Sequence, residues 1–155
     1  MSIISHDNRF MEFKMGDQLY SVPLLSVREV IQKPEITPMP NCPADFEGMM
    51  NLRGQLLGVF NVRKKLSSNA KPKNNEHTVV VIIERNGISV GMIVDEVTRV
   101  LSTESDMIKA APVRADDPSK KFIQSIIHTE SDLVLILDLE QLLEFKKYEK
   151  ATTAA

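Results

Sequence analysis

The Gly-Ile-Ser-Val-Gly stretch at residues 87–91 matches the G-x-S-x-G pattern that carries the nucleophilic serine of many hydrolases. That chemistry requires a strand before the serine and a helix after it, so that the hydroxyl stands on a sharp turn. Here Asn86-Gly87 predicts a hairpin turn before Ser89, and the apolar run VGMIV predicts that a strand continues through it. We therefore interpret Ser89 as structural and disfavour a serine hydrolase.

Metal, nucleotide and disulfide chemistry have no sequence signature either. His6, His77 and His128 lie far apart and outside known metal-ligand spacings, and no glycine-rich phosphate-binding motif occurs. The one cysteine, Cys42, can form neither an internal disulfide nor a Cys-pair metal site, and we expect it to be buried as a small hydrophobic residue. The sequence predicts no catalytic, metal or cofactor site, and hence a protein that is not an enzyme.

The composition is that of a globular domain without the features of a nucleic-acid-binding protein. Among 155 residues, 19 are basic and 21 acidic, which gives a net charge of −2 and no basic footprint for phosphates. Aromatic residues make up 5% and tryptophan is absent, so an oligonucleotide-binding barrel is a disfavoured alternative. No apolar run reaches the roughly 18 residues of a membrane helix. The N-terminal residues lack a signal-peptide pattern, and we expect a cytoplasmic location.

The elements of the first half are predicted from alternating apolar and polar residues. Strands are expected at residues 10–15 and 18–22, and at residues 48–52 and 55–60 on either side of Arg53-Gly54. Residues 22–31 suit a short helix nearly as well as a turn followed by a strand. Four prolines should hold residues 34–43 extended. Asn61 is predicted to cap a short helix at 62–66, which a polar linker at 67–76 follows.

The second half begins with a β-hairpin turn of type I′ at Asn86-Gly87, between the apolar runs TVVVIIE and ISVGMIV. Further strands are expected near 121–128 and 133–137. A helix should then run from Leu139 to about Glu149, with its leucines and Phe145 packed on the sheets, and residues 149–155 should form a disordered tail.

Two pairs of segments indicate an internal repeat. SVREVI at 26–31 matches EVTRVL at 96–101, and VFNVRKKL at 59–66 matches ILDLEQLL at 136–143. In the second pair a strand runs into Asn61 or Asp138, either of which can cap the backbone that follows. Chance similarity between strand-to-helix junctions is the alternative. The repeat predicts two similar small β-barrels in tandem.

The chain resembles the CheW family, the coupling proteins of bacterial chemosensory arrays. The resemblance extends from about residue 10 to 145 and rests on SVREVI, ITPMP, G-x-x-NLRG, TVVVI, NGISVGMIVDEV and LILDLEQLL. It implies a mainly β fold of two SH3-like five-stranded β-barrels in tandem around a shared apolar core. It also implies one domain at 8–148, with subdomains at about 10–66 and 77–137 and a C-terminal helix at 139–149. Residues 23–31 become a short turn leading into a strand.

The resemblance implies a non-enzymatic adaptor between the histidine kinase CheA and the cytoplasmic tips of methyl-accepting chemoreceptors. Carried over by position, the contact residues should include Val27, Glu29, Gly48 and Arg53. A guanidinium at the hairpin crest can make bidentate contacts that lysine cannot copy. For Val27 the alternative is core packing, and for Glu29 and Arg53 it is an ordinary surface charge.

The same resemblance implies further partners and an alternative pathway. The kinase regulatory domain shares the fold, so alternating rings can form, and membrane association should occur only through receptors. An adaptor of a non-flagellar chemosensory pathway, such as pilus motility, is the alternative function. The sequence departs from the family at Gly58, where proline is common, at Asn61, where aspartate is common, and at Gln124-Ser125. Gly58 should loosen its strand and puts the strength of the kinase interface in doubt.

Overall fold

The computed structural model describes residues 8–43, 45–63, 65–66, 78–110 and 120–145, which form two β-sheets and short helices. The six-stranded sheet contains β1 (Arg9–Met15), β2 (Gln18–Pro23), β8 (Glu96–Ser102), β9 (Ile108–Lys109), β10 (Ile123–His128) and β11 (Leu133–Leu137), in the order β8-β1-β2-β11-β10-β9. The five-stranded sheet contains β3 (Val27–Gln32), β4 (Phe46–Leu52), β5 (Gln55–Phe60), β6 (Val79–Arg85) and β7 (Ile88–Val94), in the order β3-β6-β7-β5-β4.

Local sequence signals placed the hairpins correctly. The strands predicted on either side of Gly16-Asp17 and of Arg53-Gly54 are confirmed as β1, β2, β4 and β5. Asn86 and Gly87 both have positive φ, 53° and 80°, as a type I′ turn requires. Between β2 and β3 the chain forms a single 3-10 turn, Leu24–Ser26, so the turn-and-strand alternative is the correct one for this segment.

The two halves of the chain exchange their hairpins. The N-terminal hairpin, β1–β2, pairs with β8 and β11 from the second half, whereas the hairpin β6–β7 pairs with β3 and β5 from the first. The strand pairing therefore does not follow the predicted subdomain bounds, about 10–66 and 77–137. The reason is that the chain crosses between the sheets twice, at the turn after β2 and at Asp95 after β7. The extent of the whole domain, 8–148, stays a prediction.

The internal repeat is confirmed by equivalent positions in the two sheets. Strands β3 and β8, which carry the SVREVI and EVTRVL segments, are both terminal strands that pair antiparallel with the first strand of a hairpin. Strands β5 and β11, which precede Asn61 and Asp138, each pair parallel with the second strand of that hairpin. Chance similarity does not explain this agreement in topology.

Three apolar clusters hold the fold together. One lies within each sheet: Met50, Leu57, Val59, Val80, Ile82 and Ile93 in the five-stranded one, and Leu101, Ile127, Val134 and Ile136 in the six-stranded one. The third and largest is shared by both sheets and the C-terminal helix α1 (Leu139–Leu143), and includes Phe13, Phe60 and Met92. The bridge between Thr37 and Met49 brings the segment after β3 back onto β4 and so curls the five-stranded sheet into a barrel.

Both predicted helices differ from the structure. Helix α1 ends at Leu143 because Glu144 turns left-handed, with φ of 52°, and Phe145 then enters the shared core. The rest of the predicted helix lies outside the described residues. At 62–66 the described residues form turns rather than a helix, although Asn61 does accept a hydrogen bond from the Arg63 N–H at 3.3 Å.

The expectation that Cys42 is buried is wrong, since the residue is exposed. It lies in the segment rich in proline, which makes a single bridge, at Thr37, to the neighbouring sheet. Prolines lack the N–H that a sheet ladder needs, so this part of the chain stays on the surface.

Candidate protein-interaction site

An edge strand and a hairpin crest meet at one rim of the five-stranded barrel. Strand β3 carries Val27 and Glu29, and the crest between β4 and β5 carries Arg53. In the sheet order, β6 and β7 separate β3 from β5, so no backbone ladder joins the two elements. The backbone bridge between Thr37 and Met49 closes the barrel farther along, and side chains make the direct contacts between β3 and the crest.

Glu29 and Arg53 form a bidentate ion pair across this rim. Arg53 donates from Nη1 to Glu29 Oε1 at 3.3 Å and from Nη2 to Oε2. This hydrogen bonding, together with the charges of Arg53 and Arg28, holds the pKa of the Glu29 carboxyl below its ordinary value, and Glu29 raises the pKa of Arg53. The pair is therefore charged at neutral pH and is lost only as the pH falls through that lowered pKa. Because it is solvent-exposed, it adds little to stability.

The turn itself holds Arg53 outward. Arg53 and Gly54 have φ of 51° and 89°, and Asn51 Oδ1 accepts a hydrogen bond from the Gly54 N–H at 2.8 Å. The Arg53 side chain remains 65% exposed although it is paired. Its two bonds to Glu29 leave three of the five guanidinium N–H groups for a partner. The crest thus offers directed donors beside a carboxylate.

Val27 and Gly48 have different surroundings from this pair. Val27 is half-buried and packs against the shared core, next to Leu25, which is 72% exposed on the preceding turn. Gly48 is buried, with φ of 145°, and a Cβ placed on it would lie 2.2 Å from the Thr37 carbonyl oxygen. Val27 can contribute both to core packing and to a contact with a partner protein. Gly48 instead allows the close approach of Thr37 to β4, because it has no side chain.

A second set of polar contacts, which the sequence did not indicate, lies beside the ion pair. Arg28 Nη1 donates to Gln55 Oε1 at 3.0 Å and to Ser89 Oγ at 3.2 Å. The Ser89 hydroxyl in turn donates to Glu84 Oε2 at 3.3 Å. Ser89 lies within β7 and follows a hairpin turn, as predicted, and its hydroxyl takes part in this network. These partners are 27 and 61 residues from Arg28 in the chain, so no local motif could reveal them.

The six-stranded sheet carries a related pair with the charges reversed. Arg99 is the repeat equivalent of Glu29, and it lies 3.6 Å from Asp132, next to the turn between β10 and β11. Arg99 also donates to the buried Glu12 at 2.6 Å. The two barrels therefore present different charge patterns at equivalent places.

Gly58 provides the space that an aromatic ring fills. A Cβ at Gly58 would lie 3.0 Å from Phe46 Cε1, and the Phe46 ring packs edge-on against Phe60 with centroids 5.1 Å apart. The Phe46 ring covers β5 at Gly58, which has no side chain to occupy that space. Gly58 therefore makes room for the packing of Phe46.

Two features are absent from the described part of the chain. No group of three or more His, Cys, Asp or Glu residues there could hold a metal ion. Among the helices within those ranges, none is both long and apolar enough to cross a bilayer.

The fold and the rim define a class of protein: a two-barrel β domain with an ion pair and a hydrogen-bonded polar network along one rim. A family model described as the CheW-like domain matches residues 9–147. The chain belongs to this CheW-like domain family.

Individual relatives agree with this assignment. The chain is 28% identical over 150 residues to the probable chemotaxis protein CheW of Rhizobium etli, covering 97% of this chain and 96% of the relative. A crystal structure of the scaffolding protein TtCheW from Thermoanaerobacter tengcongensis matches with a TM-score of 0.77 and 27% identity, over 86% of this chain and 90% of that one. Protein PilI of Pseudomonas aeruginosa is 27% identical over 118 residues, covering 76% of this chain and 66% of the relative. The prediction of a mainly β, two-barrel CheW-like fold is confirmed, with six and five strands in the two sheets.

Proposed function

We propose that the protein is a cytoplasmic, non-enzymatic adaptor that couples methyl-accepting chemoreceptors to a CheA-type histidine kinase. Family membership and the similarity to proteins named as chemotaxis and scaffolding proteins support this function. The kinase regulatory domain and the cytoplasmic receptor tip are the proposed partners. Assembly into rings with the kinase follows from the same proposal.

The receptor contact is proposed for the rim that carries Glu29 and Arg53. The observation that carries this proposal is their ion pair, which joins residues 24 positions apart on an exposed surface. A surface pair that contributes little to stability suits recognition better than it suits folding. Val27 extends the surface along β3, and Gly48 acts by keeping the barrel in shape.

Replacing Arg53 by alanine tests this proposal. We expect receptor-dependent activation of the kinase to fall to the level measured without receptor, because the directed donors at the crest are lost. The assay combines the adaptor, the kinase and receptor-containing membranes and measures autophosphorylation. Val27→Asp should have the same effect.

Arg85→Ala is the matched control, since Arg85 is an exposed arginine at the end of β6 in the same sheet. It should activate normally, and thermal unfolding should show that Arg53→Ala is folded. Normal activation by both Arg53→Ala and Val27→Asp would falsify the proposed receptor contact.

An adaptor of a non-flagellar chemosensory pathway is the second candidate. The similarity to Protein PilI supports it, although that match covers less of the chain than the match to the Rhizobium etli protein. Both candidates share the adaptor mechanism. Co-purification from the native cell decides between them, because the captured kinase and receptors identify the pathway.

A further inference from the structure

Arg28 lies at the point where strand β3 departs from regular pairing. Val27 is paired with Ile83 and Glu29 with Ile82, so β3 has one extra residue, Arg28, opposite β6. A bulge of this kind redirects side chains and is common at functional edges. Here the redirected guanidinium reaches across the barrel rim to the crest and to β7.

The contacts of Arg28 join the same two elements, β3 and the crest, as the Glu29–Arg53 pair does. Gln55 directly follows the crest, where it pairs with Leu52, and it accepts from Arg28 at 3.0 Å. Ser89, only 8% exposed, accepts from the same nitrogen, and its own hydrogen goes to Glu84. Both hydrogens of that nitrogen are thus used, and the hydroxyl of Ser89 has a defined direction. Two side-chain ties, one from Arg28 and one from Glu29, therefore join β3 to the crest.

We propose that Arg28, held by Gln55 and Ser89, is a positioning residue that fixes the hairpin crest against β3 and so presents Arg53 and Glu29 in one geometry. This rests on the proposed function. A single ion pair at the surface can rotate about its contact, whereas a second side-chain contact one residue away removes that freedom. A partner then meets a preformed surface and loses less conformational entropy on binding.

Arg28→Met tests the inference, because it keeps the unbranched apolar stem of the side chain and removes the guanidinium donors. We expect affinity for a purified fragment of a methyl-accepting receptor tip to fall roughly threefold to tenfold, because binding must then order the crest. Gln55→Ala should have a similar effect, and Gln55→Glu, which keeps an acceptor for Arg28, should bind like the unmodified protein. Arg85→Met is the control.

Two further measurements separate positioning from other roles. In an Arg53→Ala background, Arg28→Met should reduce affinity by less than twofold, because the residue it positions is gone. NMR order parameters of the Arg53 and Gly54 amides should fall in Arg28→Met, with no fragment present.

Unchanged affinity of Arg28→Met, a full additional loss in the Arg53→Ala background, or unchanged order parameters at the crest would overturn the inference. If the unmodified protein does not bind the fragment, the proposed receptor contact fails instead. The order parameters then decide alone whether Arg28 fixes the crest.

Discussion

Replacing Asp95 by alanine should lower the free energy of unfolding by about 3 to 5 kcal/mol, the usual cost of removing one partner of a buried ion pair. Asp95 lies in the crossover between β7 and β8. Its Oδ1 accepts from Arg63 Nη2, and its Oδ2 accepts from the Gly16 N–H at 2.8 Å. Both charged side chains are 7% exposed. The variant leaves a guanidinium and a backbone N–H without a partner.

The cost is high because, among the residues that the structure describes, Asp95 supplies the one hydrogen-bonded carboxylate of Arg63. Its Nε and Nη1 atoms are buried and already lack a hydrogen-bond partner among the described residues. The same carboxylate ties the β1–β2 turn to the segment after β5, and hence to the other sheet. Loss of Asp95 therefore weakens the joint between the barrels as well as one ion pair.

Urea unfolding measures this effect, with Asp17→Ala, an exposed aspartate in the turn of the same hairpin, as the control. The double variant Arg63→Met with Asp95→Asn removes both charges and keeps an acceptor for Gly16. It should recover most of the stability. If Asp95→Ala lowers the free energy of unfolding by less than about 1 kcal/mol, as a surface change typically does, the Arg63–Asp95 pair is not important for stability.

Gly48→Ala should destabilise the five-stranded barrel by about 2 to 5 kcal/mol, from backbone strain and weakened hydrogen bonds. At φ of 145° a side chain is strained, and the new Cβ would stand 2.2 Å from the Thr37 carbonyl oxygen. Thr37 and Met49 exchange two hydrogen bonds, of 2.8 and 2.9 Å, at this point. The added methyl group must push Thr37 away and break this bridge.

Gly54→Ala is the matched control, because Gly54 also has positive φ, 89°, but nothing lies within 4 Å of the added Cβ. Gly54→Ala introduces backbone strain but no steric clash, so its thermal unfolding midpoint should fall much less than that of Gly48→Ala. Equal losses in the two variants would show that space at Thr37 is not limiting. A receptor-binding defect in Gly48→Ala should accompany the loss of stability.

The local parts of the fold could be predicted from the sequence because their causes are local. Alternation of apolar residues and the Asn86-Gly87 turn are sufficient for a hairpin. No local signal predicts which strands pair with the N-terminal hairpin, because its apolar pattern is the same whichever half of the chain it joins. The end of α1 at Glu144 also depends on a distant cause, the burial of Phe145 in the shared core.

The same distinction applies to the site. Resemblance indicated Glu29 and Arg53 as candidate contact residues, but only the three-dimensional structure shows that they bind each other, or that Arg28 reaches Gln55 and Ser89. One signal was available in the repeat. Aligning SVREVI with EVTRVL places Glu29 opposite Arg99, which indicates that equivalent rims carry opposite charges.

The exchange of hairpins has a consequence for how the molecule is made. On the ribosome the N-terminal hairpin emerges long before Glu96, the start of the strand that flanks it, has been synthesised. Neither half of the gene product can finish a sheet by itself, so a nascent chain stalled near residue 66 keeps unpaired edges open to aggregation. Proteolytic removal of β11 would likewise leave β2 and β10 without the strand that lies between them. Because each sheet contains strands from both halves of the chain, both barrels should unfold in one transition.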